Sequence, residues 1–203
     1  MSEQFYGQCL EDQWVVQNLQ LPSKGVFVDV GAADGTSSSN TMHFEEIGWT
    51  GLCIEPNPIM FQKLCKTRRC AMFFGAIASE ASNSATFHLG DHEGFIGGFL
   101  SCGDEIQVAA ARLDDLLRLN RITSIDLLSI DTEGTELDVW ASFDWKIWTP
   151  QVVILEHQTM DRPSGLGEIR STFEALPYKE VLETKYNLVF ELDEEYRKLK
   201  APA

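Results

Sequence analysis

Short apolar runs alternate with amphipathic segments along most of the chain. Five mostly apolar runs have the length of buried strands, and segments with helical spacing of their apolar residues separate most of them. This alternation predicts an α/β fold with a doubly wound, mostly parallel sheet and helices on both faces. The predicted strands are residues 26–30, 52–55, 72–76, 125–130 and 152–156, and the predicted helices are residues 38–47, 58–67, 113–120, 136–143 and 168–175.

Two apolar runs near the C-terminus depart from this alternation. Residues 178–184 and 186–192 are separated by almost nothing, which predicts an antiparallel hairpin that closes the sheet. No repeat, linker or low-complexity tract interrupts the 203 residues. The pattern therefore predicts a single domain over residues 1–203.

The pattern is weakest between residues 85 and 110. Strand-like pieces at 85–89 and 106–110 flank residues 90–103, which contain five glycines together with Phe95 and Phe99. Such an irregular insertion is typical of a lid or of a loop that contacts the acceptor substrate. The two phenylalanines could pack on the apolar face of a sugar or fix the loop to the core, and both interpretations stay open.

Composition limits the range of functions. The 16 lysines and arginines against 31 aspartates and glutamates give a formal net charge of −15, which argues against a nucleic-acid substrate because phosphates require a basic face. No apolar run approaches the roughly 20 residues that span a bilayer, and no signal-peptide pattern opens the chain. The five cysteines are odd in number and scattered, which favours reduced thiols and a cytoplasmic location.

The most specific local pattern is FVDVGAADG at residues 27–35. The apolar run contains one carboxylate, Asp29, and Gly31 follows the run directly. A second carboxylate, Asp34, comes three residues later. The first strand of an open α/β sheet presents its carboxyl end to a ligand, and a dinucleotide there requires Gly-x-Gly-x-x-Gly facing a pyrophosphate. This loop is acidic and has fewer glycines, which favours the cationic S-adenosylmethionine over NAD.

A carboxylate also ends the second predicted strand. Glu55 closes residues 52–55 and Pro56 follows at once. In a mononucleotide-binding half, a carboxylate at this position accepts hydrogen bonds from ribose hydroxyls. Alone, Glu55 would be interpreted as a solvated strand end, but together with residues 27–35 it favours ribose binding.

Polar residues end the fourth and fifth predicted strands as well. Asp131 and Glu133 follow residues 125–130, while Glu156 ends residues 152–156 and His157 comes directly after it. Because neighbouring parallel strands end at the same sheet edge, these four side chains are expected to converge. They could hold a divalent cation such as Mg²⁺, or Asp131 or His157 could act as the general base for a hydroxyl. The structural alternative is helix capping by the acidic residues.

Several spaced blocks occur in the order found in a known family. They are Tyr6-x-Gln8 with Glu11-Asp12, residues 27–35, Ser39-Asn40-Thr41, residues 48–58 (GWTGLCIEPNP), residues 113–117 (LDDLL), residues 128–136 (LSIDTEGTE) and Leu155-Glu156-His157. With these blocks the chain resembles the FkbM family of S-adenosylmethionine-dependent methyltransferases over nearly its whole length. It departs from the usual pattern at Gly7 and Leu10, where Ser and Gly are more common.

The resemblance implies a seven-stranded class I methyltransferase fold and O-methylation of a sugar or polyketide hydroxyl. It implies that Asp29, Gly31 and Asp34 contact the methionine part of the cofactor, that Glu55 binds ribose and that Ala76, at the end of strand three, approaches adenine. The full set implied for the cofactor is Gln8, Asp29, Gly31, Ala32, Asp34, Ser39, Asn40, Glu55, Ala76 and Asp131. The resemblance to related sugar methyltransferases implies Mg²⁺ or Mn²⁺ at Asp131, Glu156 and His157.

The expected reaction is in-line transfer of the sulfonium methyl group to a sugar or glycan hydroxyl, with Asp131 or His157 as the base. The closest alternative is an O-methyltransferase for a phenol or polyketide. An RNA ribose methyltransferase is disfavoured by the net charge of −15, and a non-catalytic cofactor-binding partner would not need the polar residues at strands four and five.

Overall fold

The computed structural model describes residues 3–80, 84–89, 105–158 and 165–200. In this part of the chain the strands are β1 Val26–Val30, β2 Thr50–Glu55, β3 Ala71–Phe74, β4 Ala76–Ile77, β5 Ser84–His88, β6 Glu105–Ala111, β7 Leu127–Ile130, β8 Val152–Glu156, β9 Tyr178–Glu183 and β10 Asn187–Leu192. The helices are α1 Glu11–Asn18, α2 Met42–Glu46, α3 Pro58–Thr67, α4 Leu113–Leu119, α5 Glu136–Ala141, α6 Trp145–Trp148, α7 Leu166–Glu174 and α8 Glu194–Lys200.

A seven-stranded sheet in the order β3-β2-β1-β7-β8-β10-β9 forms the centre of the fold. The first five strands in this order pair in parallel, and β10 pairs antiparallel with both β8 and β9. This arrangement confirms the predicted class I methyltransferase fold and its C-terminal hairpin. Strands β2 and β3 lie on one side of β1, whereas β7 and β8 lie on the other. Open α/β sheets bind ligands at such a switch point, beyond the carboxyl ends of the strands, which here lies between β1 and β7.

Alternating side chains of the central strands pack into two cores. Val28 and Val30 of β1 contact the core that includes helices α4, α5 and α7, whereas Phe27 packs with residues of α1, α2 and α3. The strands β1, β7 and β8 are almost wholly buried. This burial on both faces explains why their sequences are continuous apolar runs rather than alternating ones.

The third predicted strand needs correction. It ends at Phe74: the Gly75 amide still donates to the Glu55 carbonyl of β2 at 3.1 Å, but Gly75 has φ +157° and the chain after it pairs with a different strand. Ala76 then lies in β4, which pairs with β6 in a separate three-stranded sheet, β4-β6-β5. Ala76 is therefore not at the end of a central strand.

Other boundaries also differ from the predictions. The helix predicted at residues 38–47 covers only Met42–Glu46, since Ser38 has φ 56° and the Ser39 hydroxyl accepts the amides of Thr41 and Met42. The fourth strand begins at Leu127 rather than 125, and the helices α1, α6 and α8 were not predicted. The predicted loop at residues 90–103, with Phe95 and Phe99, lies outside the described residues. None of the described helices has both the length and the apolar character that a membrane span needs.

Candidate active site

A cavity of about 340 Å³ lies at the carboxyl ends of β1, β7 and β8. We call it the first cavity. Nine of the predicted site residues line it, namely Gln8, Asp29, Gly31, Ala32, Asp34, Ser39, Asn40, Asp131 and Glu156. Glu133 lines it too, as do Asn57, Met60, Lys63, Ser129, Gln158 and Tyr186, none of which was predicted as a site residue. Glu55, Ala76 and His157 are not among the described residues that line it.

Gly31 brings the ends of β1 and β7 into direct contact. Its φ is +87°, and a Cβ atom at this position would lie 1.7 Å from the carbonyl oxygen of Asp131. The Gly31 amide donates to the Ile54 carbonyl at 2.9 Å, and the Asp131 amide donates to the Val30 carbonyl at 2.9 Å. Only glycine combines this φ with so close a backbone approach.

Glu55 organises the backbone on one side of the first cavity. It is fully buried, and its two carboxylate oxygens accept the amides of Ala33 at 2.8 Å and Asn57 at 2.7 Å. Burial raises its pKa to about 7, although both hydrogen bonds oppose the shift. The predicted contact of Glu55 with a ribose stays a prediction.

Asp29 and Arg68 form a buried pair beneath the loop that follows β1. Asp29 accepts the Thr41 hydroxyl at 2.5 Å, and an Arg68 nitrogen lies 3.8 Å from the same carboxylate oxygen. Burial raises the pKa of Asp29, while the charge of Arg68 and the Thr41 hydrogen bond lower it. Arg68 also pairs with Glu45.

Arg68 is a site-supporting residue that the sequence analysis missed. Its guanidinium donates to the Gly35 carbonyl at 3.2 Å, to the Ser39 hydroxyl at 3.3 Å and to the Thr41 hydroxyl at 2.9 Å. In the sequence it stands among basic residues at the end of a helix, a position that is usually exposed. Its partners come from distant positions, so no local pattern identifies them.

Asp34 and Asn40 face the first cavity from the loop that follows β1. Asp34 accepts the amides of Thr36 at 2.8 Å and Ser37 at 2.7 Å. Burial alone would raise the pKa of Asp34, but these hydrogen bonds outweigh it and the pKa is lowered. Asn40 is buried and donates to the Ser129 hydroxyl at 3.1 Å, while its Oδ1 has no partner among the described residues.

Three carboxylates meet at the ends of β7 and β8. One ligand oxygen from each of Asp131, Glu133 and Glu156 lies within 4.8 Å of the others. Glu133 adopts φ 57°, and the Glu136 carboxylate accepts the amides of Thr132 at 3.1 Å and Gly134 at 2.7 Å. Glu136 therefore holds the loop that presents the three groups, which we call the acidic cluster.

The acidic cluster has unusual protonation behaviour. Burial raises the pKa of both Asp131 and Glu156, and the negative charge of Asp131 raises the pKa of Glu156 further. Glu156 Oε2 is buried and has no hydrogen-bond partner among the described residues. Such crowded carboxylates favour either a shared proton or a bound cation.

His157 follows the last residue of β8, and its ring contacts the C-terminal hairpin rather than the acidic cluster. Its Nε2 lies 3.2 Å from the Thr184 carbonyl oxygen, and the residue lines a second cavity rather than the first. Among the described residues, Glu133 occupies the place in the cluster that was predicted for His157.

The N-terminal segment completes the first cavity. Asp12 accepts the amides of Tyr6 at 2.6 Å and Gly7 at 3.1 Å, which fixes the turn that carries Gln8. Glu11 accepts the Thr184 hydroxyl at 2.9 Å and the Asn187 amide group at 2.8 Å. The Glu11-Asp12 block of the sequence thus joins the start of the chain to the C-terminal hairpin.

With this geometry in place, comparison with known proteins identifies the family. A model of the methyltransferase FkbM domain matches residues 29–180. The chain belongs to the FkbM methyltransferase family. The matched range contains every predicted site residue except Gln8, so the FkbM domain includes the acidic cluster and the loop after β1. No curated protein matches the chain.

Solved methyltransferases share this fold at low sequence identity. The FkbM methyltransferase from Methylobacillus flagellatus KT superposes with a TM-score of 0.57 and 13% identity over 86% of this chain, which spans 45% of that protein's length. A TehB-like SAM-dependent methyltransferase from Corynebacterium glutamicum gives a TM-score of 0.52 and 9% identity, covering 94% and 89% of the two chains. Precorrin-6Y C5,15-methyltransferase from Geobacter metallireducens gives 0.51 and 13%, covering 94% and 93%.

Proposed function

We propose that this FkbM-family chain is an S-adenosylmethionine-dependent O-methyltransferase that methylates a hydroxyl of a sugar with the help of a divalent cation. The observation that carries the proposal is the distribution of carboxylates around the first cavity. Asp29 and Asp34 line it from the β1 side, and Asp131, Glu133 and Glu156 line it from β7 and β8.

The first cavity fits the charge of the cofactor. S-adenosylmethionine has a cationic sulfonium and no phosphate, and Lys63 is the only cation among the described residues that line the cavity. The buried Asn40 Oδ1 has no partner in the described part of the chain and can accept a hydrogen bond. When bound, the cofactor supplies an electrophilic methyl group, and Gly31 lets the loop after β1 lie directly against the loop after β7.

The acidic cluster fits a divalent cation. Its donors are all carboxylate oxygens, the type that Mg²⁺ and Mn²⁺ prefer, and Glu156 Oε2 is buried without a partner among the described residues. Asp131, Glu133 and Glu156 are the residues that would hold it. A bound divalent cation supplies Lewis acidity, which lowers the pKa of an acceptor hydroxyl.

The residues of the chain have the remaining tasks of positioning and proton transfer. A carboxylate oxygen of Asp131 accepts the proton of the acceptor hydroxyl as the new bond forms. Glu136 and Gly31 fix the backbone of residues 131–134, so the carboxylate keeps one orientation. Positioning of this kind accounts for much of the rate enhancement when the methyl group is already activated.

Calorimetric titration and a transfer assay test the proposal together. We expect S-adenosylhomocysteine to bind the wild-type protein, and radiolabelled methyl transfer from S-adenosylmethionine to neutral sugar glycosides to require Mg²⁺ or Mn²⁺. Asp131→Asn should lower the transfer rate by at least about a hundredfold while cofactor binding persists. Asp115→Asn, an exposed residue of α4 with the same charge change, is the matched control.

Each outcome has one meaning. Absence of S-adenosylhomocysteine binding would overturn the methyltransferase proposal. Transfer to phenols but not to sugars would overturn the sugar acceptor alone, and transfer that is unaffected by a chelator would overturn the cation. Unchanged turnover in Asp131→Asn would remove this residue from the reaction.

A further inference from the structure

A second cavity of about 330 Å³ adjoins the acidic cluster. It is formed by the first turn of α5, the end of β8 and the first turn of α7. Glu156 lines both the first and the second cavity, so a ligand in one lies next to a ligand in the other. None of the predicted cofactor residues lines it, and of the predicted metal set only Glu156 and His157 do.

Glu156 is the group that links the two cavities chemically. The residue is only 6% exposed, and its Oε2 has no hydrogen-bond partner among the described residues. An unpaired buried oxygen costs free energy, which a bound cation or a donor from a ligand removes. The proposed function places the divalent cation at this carboxylate, so an acceptor hydroxyl at the boundary of the two cavities would lie next to the cation.

The charge of the second cavity selects among ligands. Besides Glu156, three carboxylates line it, those of Glu136, Asp138 and Glu168, and none of its described lining residues is a lysine or arginine. Like charges brought together at short distance are costly, so a carboxylate or phosphate on the ligand is strongly disfavoured. Hydroxyl and ammonium donors are favoured.

The second cavity also has an apolar part. Leu137 and Ile169 line it together with the acidic residues and His157. A ring with one apolar face and several hydroxyls matches this combination. The charge of the lining also distinguishes the two cavities, because Lys63 contributes a positive charge to the first cavity.

We propose that the second cavity binds the methyl acceptor, and that the acceptor is a polyhydroxyl compound without acidic groups, with an amino sugar preferred over its uronic acid or phosphorylated counterpart. The inference rests on the proposed function. In the transfer, the acceptor oxygen forms a bond to the methyl carbon while the carbon–sulfur bond breaks. The hydroxyl proton passes to a carboxylate of the acidic cluster, and the sulfonium becomes a neutral thioether.

Four matched glycosides test the preference. Octyl glycosides of glucosamine, glucose, glucuronic acid and glucose 6-phosphate are compared by ligand-observed NMR in the presence of S-adenosylhomocysteine, and by kcat/KM with S-adenosylmethionine. We expect the amino and neutral sugars to exceed both anionic sugars by at least about tenfold, a difference of about 1.4 kcal/mol.

A charge reversal in the second cavity supplies the decisive variant. Glu168 lies in the first turn of α7 and is exposed, so Glu168→Lys should fold and should shift the preference toward glucuronic acid by at least about tenfold. Glu174→Lys, at the other end of the same helix and outside the cavity, should leave the preference unchanged.

The two proposals fail in different ways. If calorimetry detects no S-adenosylhomocysteine binding, the proposed function itself is wrong. If the cofactor product binds but the four sugars bind equally or not at all, the acceptor assignment is overturned. The same holds if Glu168→Lys and Glu174→Lys give the same preference.

Discussion

At the scale of single residues, position 31 shows how one missing side chain determines the shape of the site. The loop after β1 and the loop after β7 touch through backbone atoms there, and a methyl group would overlap the Asp131 carbonyl. The sequence indicated glycine as part of a cofactor loop. It could not indicate that the contact partner lies 100 positions further along the chain.

The replacement Gly31→Ala tests this contact. We expect it to lower the free energy of unfolding by more than about 3 kcal/mol, because strain at positive φ combines with a backbone overlap. Gly48→Ala is the matched control, since Gly48 has φ +100° and no atom lies within 4 Å of the point that an added Cβ would occupy. It should cost only about 1–2 kcal/mol. Chemical denaturation measures both, and equal costs would contradict the overlap.

Glu55 predicts a pH dependence of stability. Burial raises its pKa from 4.5 to about 7, with the nearby carboxylates Asp29 and Asp131 adding to the shift. In this pH window the folded protein holds a proton that the unfolded chain has lost, so the free energy of unfolding falls as pH rises from 4.5 to 7. The contribution is at most about 1.4 kcal/mol per pH unit.

Glu55→Gln should reduce this slope, because glutamine does not titrate. The variant also loses one of two hydrogen bonds, since its amide nitrogen cannot accept a backbone N–H, and this costs about 1–3 kcal/mol. Denaturation curves collected between pH 5 and 7 separate the two effects. Parallel plots of stability against pH for the two proteins would show that Glu55 does not contribute to the slope.

At the scale of elements, α3 shows which features could be predicted. Its bounds at residues 58–67 match the prediction because local signals mark both ends. Asn57 caps the helix by accepting the amides of Ile59 at 2.9 Å and Met60 at 3.2 Å, and Pro58 occupies the first turn. The residue after the helix, Arg68, was misjudged because its role depends on distant loops.

Strand and helix alternation likewise predicted the central sheet, since burial on both faces gives continuous apolar runs. The small sheet was missed as a separate unit because β4 is two residues long and begins after the turn at Gly75. Helix α1 was missed because Glu11 and Asp12 in its first turn bind other segments, so its apolar face is short.

His157 was placed in the acidic cluster because neighbouring residues at the end of a strand were treated as one group.

Arg68→Met tests the connection between α3 and the loop after β1. Removal of the guanidinium leaves Asp29 and Glu45 without their cationic partner, so we expect a loss of about 3–5 kcal/mol in the free energy of unfolding. Weaker cofactor binding should accompany it, because Ser39 and Thr41 lose a donor. Thermal unfolding and calorimetry provide the measurements.

Arg69→Met is the control for this variant. Arg69 is exposed, and the contact it makes with Glu45 comes from its backbone amide, which the substitution retains. The same loss of one positive charge should therefore change stability by less than about 0.5 kcal/mol. A similar cost for both variants would attribute the effect to overall charge rather than to the buried contacts.

At the scale of the whole molecule, the net charge of −15 predicts that salt stabilises the protein. Mutual repulsion is stronger in the folded state than in the extended chain, and ions screen it. We expect the melting temperature to rise by about 2–4 °C between low and moderate NaCl, the shift that about 1 kcal/mol produces in a chain of this size.

Magnesium separates this general effect from binding at the acidic cluster. At equal ionic strength, MgCl₂ should raise the melting temperature of the wild-type protein more than NaCl does, because a ligand that binds the folded state stabilises it. Asp131→Asn should abolish the excess and keep the response to NaCl. An excess of equal size in both proteins would place magnesium elsewhere on the acidic surface.

The bond network of Glu11 has a consequence for the order in which the protein becomes functional during synthesis. Its partners Thr184 and Asn187 are synthesised more than 170 residues after Glu11 itself. The parallel strands β1, β2, β7 and β8 can pair before then, since domains fold as the chain emerges. The wall of the first cavity that carries Gln8 therefore gains its final support only when the hairpin of β9 and β10 forms, so a nascent chain acquires its complete ligand site only after residues 178–192 have been synthesised.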